Sequence, residues 1–498
     1  MFFRRLPIFV LIIVSLFGAS GCNEGAKEGL PPVVSLSGDR IFRIGLGESL
    51  TLSPSFAYLT DQTRIRWILH DAVVGTENQY TFSSPLPGVF YLTVEVSTEW
   101  GTDFLEVRID VYDKTPAPPD TIPALPPADS LRVSFECSQY HVSQGRTIRL
   151  LPLDLDVTKN YTFTWSIDGE TVQQGSSPLY RFEATAQGRF SVGFRLEENG
   201  TTVAEHTLAV LVCPPEGSYR RPATAQSSPF FEKVYDFTPA PGQFINENYT
   251  ARTMDEACAY ALARMRDDKY VSLGGFGGSI VVGFDHSVAN DGGYSFAIKN
   301  SIFTNYSEPG IVWVMQDENG DGLPNDTWYE LKGSEYGLDC TVQDYAVTYV
   351  RPQAPAQAVA WTDNCGGSGT IDYLAAFHKQ DYYYPLWVEE DRYTLRGTRL
   401  EARNYDSSGR GVLWINPDYG WGYADNYSPT DMLPGVADGI TAGCNHFRIA
   451  DAVTFDGQAA NLQYIDFIKV QTGLNTKSGW LGEVSTEVMG FIDYTLVK

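Results

Sequence analysis

Apolar and polar residues alternate with a period of two through most of this chain. Short runs rich in Val, Thr, Tyr and Phe recur between turns built from Gly, Asp, Asn and Pro, the pattern of half-buried strands. Helical spacing is nearly absent. Its one instance opens with Thr253-Met254-Asp255-Glu256, a capping box, and continues with Ala257, Ala261 and Met265 through Arg266. The pattern predicts an all-β fold carrying one helix.

The alternation repeats at a larger scale. An earlier copy runs from Arg64-Ile65-Arg66-Trp67-Ile68-Leu69 through Tyr80-Thr81-Phe82 to Gly88-Val89-Phe90-Tyr91-Leu92-Thr93-Val94-Glu95-Val96. A later copy runs from Tyr161-Thr162-Phe163-Thr164-Trp165-Ser166-Ile167-Asp168-Gly169 through Tyr180-Arg181-Phe182 to Gly188-Arg189-Phe190-Ser191-Val192-Gly193-Phe194-Arg195-Leu196. The copies lie about a hundred residues apart, near the length of an immunoglobulin-like sandwich. Each places a Trp in a central strand and follows it with an alternating strand that starts at Gly. Over residues 31–214 the sequence resembles the PKD-type immunoglobulin-like fold. Such modules usually act as spacers; binding a ligand directly is the alternative, since fold alone does not fix function.

Between the copies lies the Pro-rich stretch from Thr115 to Pro127, which predicts an extended, semi-rigid spacer. Asp120-Thr121-Ile122 and Asp129-Ser130-Leu131 there resemble the O-glycosylation sequon of Bacteroidetes-type envelopes. After about residue 215 no third copy follows, and the remaining ~280 residues fit one large β-domain. The expected fold is two immunoglobulin-like (PKD-like) β-sandwiches followed by a larger jelly-roll-like β-sandwich domain with one helix. The expected division is residues 31–113 and 130–214 for the sandwiches, 114–129 for the linker and 215–498 for a ligand-binding β-domain.

The N-terminus changes the picture of where the chain resides. Arg4-Arg5 precedes an apolar run from Leu6 to Phe17, and Gly18-Ala19-Ser20-Gly21 leads to Cys22. A basic, apolar, small-residue order is that of a secretory signal, and the run is too short to span a bilayer. Ala19-Ser20-Gly21-Cys22 resembles a lipobox, with Ala19 where Leu is commoner. Residues 1–21 are therefore expected to be a lipoprotein signal peptide. Cys22 is expected to carry the lipid, with residues 22–30 as its tether. Glu24 and Glu28 resemble the surface-export signal of Bacteroidetes-type lipoproteins. The expected location is the outer membrane, lipid-anchored and facing the exterior.

Composition narrows the partners. Lys and Arg number 36 against 61 Asp and Glu, a formal charge of -25, which repels phosphate backbones and argues against nucleic acid. Beyond Cys22, Cys137, Cys213, Cys258, Cys340, Cys365 and Cys444 form an even set in an oxidising compartment, which favours disulfides. Domain membership suggests Cys137–Cys213, Cys340–Cys365 and Cys258–Cys444. None lies in a CxxC, which disfavours zinc and thiol redox chemistry.

The sharpest local motif is Asp317-Glu318-Asn319-Gly320-Asp321-Gly322-Leu323-Pro324-Asn325-Asp326. Oxygen ligands at alternate positions and a Gly for the turn are how a calcium loop begins. Trp328 stands where the closing Glu belongs, so Asp326 or Glu330 must close the shell. Asp317, Asn319, Asp321 and Asp326 are the candidate ligands of a structural Ca2+; a metal-free hairpin tip is the alternative. Gly274-Gly275-Phe276-Gly277-Gly278-Ser279 precedes a strand and lacks a following Lys-Ser/Thr, so it reads as close backbone packing rather than a phosphate loop.

Two aromatic clusters are the candidate ligand surfaces: Tyr383 and Trp387 in one, and Trp414, Asp418, Tyr419, Trp421, Tyr423, Asp425, Asn426 and Tyr427 in the other. Rings on loops offer rigid contact faces, and neighbouring Asp and Asn add directional hydrogen bonds. Core packing is the competing role of each ring. His286, His378 and His446 are the histidines of the large domain; each reads as an ordinary surface or core residue, with cobalt ligation as the alternative. No GxSxG, HExxH or nucleophile–base pair appears, so no enzyme is expected. Facing carboxylates for glycoside hydrolysis, among Glu389, Glu390, Asp391, Asp418, Asp425 and Asp431, are what any acidic chain offers.

Five segments together resemble a family of surface lipoproteins from gut Bacteroidetes-type bacteria. They are Val271–Ile280, Glu308–Val312, Asp326–Glu335, Trp421–Asn426 and Ile465–Thr472, spread over most of residues 229–498. Some relatives look like accessory proteins of TonB-dependent uptake, including systems for vitamin B12 and related cobamides. The resemblance implies capture of a small-molecule nutrient for a TonB-dependent outer-membrane transporter, with a cobamide favoured. A glycan-binding protein of polysaccharide uptake, an adhesive or structural surface protein, and a glycoside hydrolase are the alternatives.

Overall fold

The computed structural model describes residues 30–36, 41–69, 72–85, 88–112, 133–153, 155, 159–433 and 439–498. The expected signal peptide, Cys22 and the expected Pro-rich linker lie outside them. The chain divides into two compact units, residues 1–119 and 120–498. It is almost entirely β, and no described helix is long and apolar enough to cross a membrane.

In the first unit, Gly88–Thr98 is flanked by Gly101–Tyr112 and Arg64–Leu69, with Ile41–Gly45 and Ala72–Gly75 at the edges. Ser49–Leu52 pairs with Tyr80–Ser83 across the core. Leu92, Val94 and Val96 point inward, as strand alternation requires. Trp67 is buried against Tyr80, with ring centroids 5.5 Å apart, and its indole N–H donates to the Glu77 carbonyl at 2.8 Å.

The second sandwich repeats this arrangement. Its sheet runs Gln139–Ser143, Thr201–Cys213, Gly188–Glu198, Tyr161–Ile167, Glu170–Gly175, and Thr147–Leu150 pairs with Tyr180–Glu183. Trp165 takes the place of Trp67, stacked on Tyr180 at 5.6 Å. The hairpin after Tyr161–Ile167 turns at Asp168 and Gly169, both at positive φ, the conformation that a tight two-residue turn demands. The Asp168 carboxylate accepts from the Ser191 amide at 2.9 Å.

The second unit continues into a six-stranded and a four-stranded antiparallel sheet. The six-stranded sheet is ordered Lys233–Thr238, Ser279–Ala289, Tyr464–Thr472, Gly310–Met315, Trp328–Leu331, Ala452–Val453. The four-stranded one is ordered Val271–Ser272, Glu487–Asp493, Phe296–Asn300, Asn445–Phe447. One apolar core joins residues of both, including Ile280, Val282, Val312, Ile468, Phe296 and Phe491. The helix Met254–Arg266 adds Ala257, Ala261 and Met265 to this core. Thr253 caps it, its Oγ1 accepting from the Glu256 amide at 3.2 Å, while Glu256 reaches one residue beyond the cap and accepts from the Arg252 amide at 2.7 Å rather than from Thr253. A further sheet, Ser368–Ile371, Val359–Asp363, Val342–Val350, Arg392–Arg399, has its own Tyr-rich core.

The second sandwich is bonded to these sheets by charged side chains. Arg149 makes a bidentate pair with Asp344 at 2.8 and 2.6 Å, Arg146 meets Glu216 at 2.6 Å and Arg181 meets Asp456 at 3.0 Å.

The expected disulfides are not formed: all six cysteines are free thiols. Cys213 aligns with Ser143 in a parallel pair. Cys137 lies before the strand Gln139–Ser143, whose far end is Cys213's partner, so the two cysteines sit at opposite ends of that strand. Cys365 lies on the turn whose Asn364 amide bonds Ala346, within the strand Val342–Val350, whereas Cys340 lies before that strand begins. Cys258 packs from the helix onto the main core; Cys444 packs with Ala297 and Ile492.

Alkylation of the denatured chain without reductant should therefore label all six of these thiols by mass spectrometry, and a peptide linked through any expected pair would contradict the structure. In urea unfolding, Trp165→Ala should lower stability by about 3–5 kcal/mol, the usual cost of emptying a buried Trp site.

Candidate functional site

The aromatic loop opens with the short strand Trp414–Ile415, paired with Tyr405–Asp406, and is folded by its own polar side chains. Asn426 closes it, accepting from the Tyr419 amide at 2.8 Å and donating to the Tyr419 carbonyl at 3.0 Å. Asp418 accepts from Ser307 Oγ at 2.8 Å and from the Asn305 amide at 3.2 Å. Gly422 turns the chain at φ +86°, where a Cβ would lie 2.6 Å from the Gly333 α-carbon.

Most residues that the sequence groups as a ligand surface are interior, and this corrects their reading as contacts. Tyr383, Trp387, Tyr419, Tyr423, Asp425 and Asn426 are buried. Tyr383 donates to the His378 carbonyl at 3.0 Å, Trp387 to the Phe237 carbonyl at 3.0 Å, and Tyr419 to the Glu401 carbonyl at 2.6 Å. The Tyr423 hydroxyl accepts from the Glu335 amide at 2.9 Å. Their rings fill core, and their polar ends are satisfied by backbone. Trp414, Asp418 and Tyr427 are half-buried, and the Trp414 indole donates to the Gly411 carbonyl at 3.2 Å.

Trp421 differs. It lines a cavity of about 170 Å³ together with Tyr294, Lys332, Asp431, His446 and Arg448. Arg448 sits 5.6 Å from the Tyr294 ring centroid and 6.0 Å from that of Trp421, with its Nε donating to Asp451 at 2.9 Å. That pair holds the guanidinium charged and above its ordinary pKa. Asp431 is fixed by the Gly422 amide at 2.7 Å and Asn445 at 3.2 Å, and burial raises its pKa.

His446 is the group with unused chemistry. Its Nδ1 lies 2.8 Å from the Asp431 carbonyl, an acceptor only, so Nδ1 carries the proton. Burial lowers its pKa, so the ring is neutral. Nε2 is then a lone-pair acceptor, buried and without a partner. The other histidines of this region are engaged: His286 lies between Asp285 at 2.5 Å and Asp493 at 2.7 Å, and His378 Nδ1 meets Glu247 at 2.7 Å. Sequence patterning missed this combination because Tyr294, Trp421 and His446 come from three separate segments.

Most carboxylate oxygens of the acidic turn from Asp317 to Asp326 meet donors of the protein, while Glu318 Oε1 and Asp326 Oδ1 are buried without a hydrogen-bond partner. Asp317 accepts from the Gly320 and Gly322 amides at 2.8 and 3.1 Å. Asp321 accepts from the Leu323 amide and from Asn319 and Asn325, each at 2.8 Å. Asp326 accepts from the Glu318 amide at 3.0 Å, and its other oxygen lies 3.3 Å from His141 Nδ1 of the second sandwich. Glu318 accepts from the Ser143 amide, and burial with Asp326 nearby pushes it up to about 8. The turn is thus a joint between the second sandwich and the sheets that follow.

A family model described as a PKD-like domain matches residues 31–98. No curated protein matches the chain. Similar solved structures include the fibronectin(III)-like modules of Clostridium thermocellum CbhA, at 10% identity and TM-score 0.15, over 36% of this chain and 94% of that one. The titin domains z1z2 in complex with telethonin share 14% identity at TM-score 0.14, over 37% and 97%. The N-terminal four Ig domains of Dscam1 isoform 1.9 share 15% at TM-score 0.14, over 37% and 46%. The PKD-like match falls on the first sandwich, and the chain is an all-β, PKD-containing protein with immunoglobulin-like modules.

The buried neutral imidazole has a signed consequence. A His whose folded pKa is lowered adds stability that is complete above its unfolded value, near 6.5, and is lost as pH falls below it. Thermal melts at pH 7.5 and 5.5 should show a larger fall for wild type than for His446→Gln; equal falls would mean that the ring is not held neutral.

Proposed function

We propose that this chain is a surface-displayed binding protein that captures a small cyclic nutrient in the cavity between Trp421 and His446. The observation that carries this reading is that His446, whose Nε2 is buried and unpartnered, lines a cavity walled by two aromatic rings and a guanidinium. An unsatisfied buried acceptor costs about 1–3 kcal/mol, and a ligand O–H or N–H recovers it. A ring stacked on Trp421 is held by its face, and Arg448 gives donors at the rim.

Size selects among ligands. Drug-sized molecules occupy about 300–1,000 Å³, so a cavity near 170 Å³ takes one ring of a ligand. A sugar residue at the end of a glycan fits that volume, with a hydroxyl donating to His446. A cobamide is the second reading, favoured by the same nitrogen, since a neutral imidazole is a metal ligand; its macrocycle must then sit outside with the cobalt reaching inward. In either case the immunoglobulin-like modules serve as spacers from a lipid anchor at Cys22, and the ligand passes to a TonB-dependent transporter. No chemistry on the ligand is invoked.

Calorimetry of the purified full chain against a glycan panel and cyanocobalamin tests this. One ligand should bind, and Trp421→Ala and His446→Gln should each weaken it about tenfold, a loss of ~1.4 kcal/mol, with circular dichroism unchanged. Absence of binding to every member would overturn nutrient capture and leave an adhesive role for the modules.

A further inference from the structure

Glu308, Asp425 and Glu487 each bring a carboxylate oxygen within 4.8 Å of the other two. Asp425 and Glu487 are buried and Glu308 is half-buried. Three different segments fix them. The Glu308 amide donates to the Asp425 carbonyl at 2.9 Å. The Glu487 amide donates to Asp425 Oδ2 at 2.8 Å, and Thr486 Oγ1 donates to the Glu308 carbonyl at 2.8 Å. Asp425 itself is held at φ +53°.

Nothing cationic answers them: among the described residues, no lysine, arginine or histidine forms an ion pair with any of the three. Like charges so placed have two outlets, protonation or a bound cation. Burial and mutual repulsion raise all three pKa values, Glu308 to about 8.

Further oxygens at the cluster lack partners. Asp425 Oδ1 is buried with no hydrogen-bond partner, its Oδ2 being held by the Glu487 amide. Asn300 donates to the Glu487 carbonyl at 2.6 Å, while its own Oδ1 is buried and unpartnered. Ligands about 2.3–2.6 Å from a calcium ion lie at most ~5 Å apart, which the 4.8 Å limit meets. The donors are all hard oxygens, without sulfur or imidazole, which selects calcium over transition metals.

We propose that Glu308, Asp425 and Glu487 form a structural calcium site that ties the aromatic loop to the strand beginning at Glu487. It is separate from the Asp317–Asp326 turn, where both oxygens of Asp317 and of Asp321 already have protein donors.

Full-length chain stripped with EDTA would be titrated with Ca2+ and, separately, with Tb3+, whose luminescence is sensitised by nearby rings such as Tyr270. Calcium at a hundredfold its dissociation constant should raise the melting temperature by about 5 °C. Asp425→Asn, Glu487→Gln and Glu308→Gln should each weaken binding at least tenfold, while Asp321→Asn should leave it unchanged. Glu308→Gln alters the most exposed of the three, so it keeps the test decisive if a buried variant fails to fold. A natively folded wild type that gives neither response to Ca2+ nor Tb3+ signal overturns the proposal. So does a response that survives Glu308→Gln and disappears in Asp321→Asn.

Discussion

The strand Tyr464–Thr472 is the member on which the second unit hangs. It pairs on one side with Ser279–Ala289 and on the other with Gly310–Met315. Ile465, Phe467, Ile468 and Val470 are fully buried, the near-continuous apolar run of a strand covered on both faces. Its polar residues work as fasteners. Asp466 accepts from Arg221, Ser287 and the Asp317 amide at 3.1, 2.6 and 2.9 Å. Gln471 donates to the Gly277 and Arg396 carbonyls at 3.0 and 2.7 Å, and Thr472 to the Gly274 carbonyl at 3.0 Å. One strand thus fixes the acidic turn, the Gly-rich entry and the Tyr-rich sheet. Each of these buried polar side chains bonds more than one segment, although Gln471 Oε1 itself is buried without a partner.

The acidity of the chain has a different meaning inside and outside. A formal charge of -25 on a surface aids solubility. The interior carboxylates are another matter. Some are neutralised by arginine, as Asp466 is by Arg221 and Glu335 by Arg403. Others are held by amides, as at Asp317. Glu308, Asp425 and Glu487 have neither remedy in full, which is why they, rather than the better-looking motif in the sequence, demand an ion.

Period-two alternation was legible because strand burial alternates physically, and the matched pairs Trp67–Tyr80 and Trp165–Tyr180 made the duplicated sandwich legible with it. The helix was legible from a cap that needs only neighbouring residues. What failed depended on distance in sequence. An even cysteine count carries no geometry, so pairing by region put thiols on unrelated elements. The composition of the aromatic loop could not say which rings turn inward; Asn426, closing the loop on Tyr419, decides that. His446 became a candidate only when Asp431 fixed its tautomer, and Glu487 lies too far along the chain from Glu308 for any local motif to unite them.

The two sites share one short segment. Trp421 faces the cavity while Asp425, four residues on, faces the carboxylate cluster, and Gly422 provides the turn between them. A segment with its own hydrogen bonds on one side and uncompensated charge on the other is strained towards opening. Protonation relieves the charge and lets one carboxyl donate to another, joining the segments in pairs. An ion relieves it and adds bonds from the loop to two strands. Occupancy of the inner site therefore bears on the order of the outer one through the backbone between Gly422 and Asp425, with no movement of the sheets.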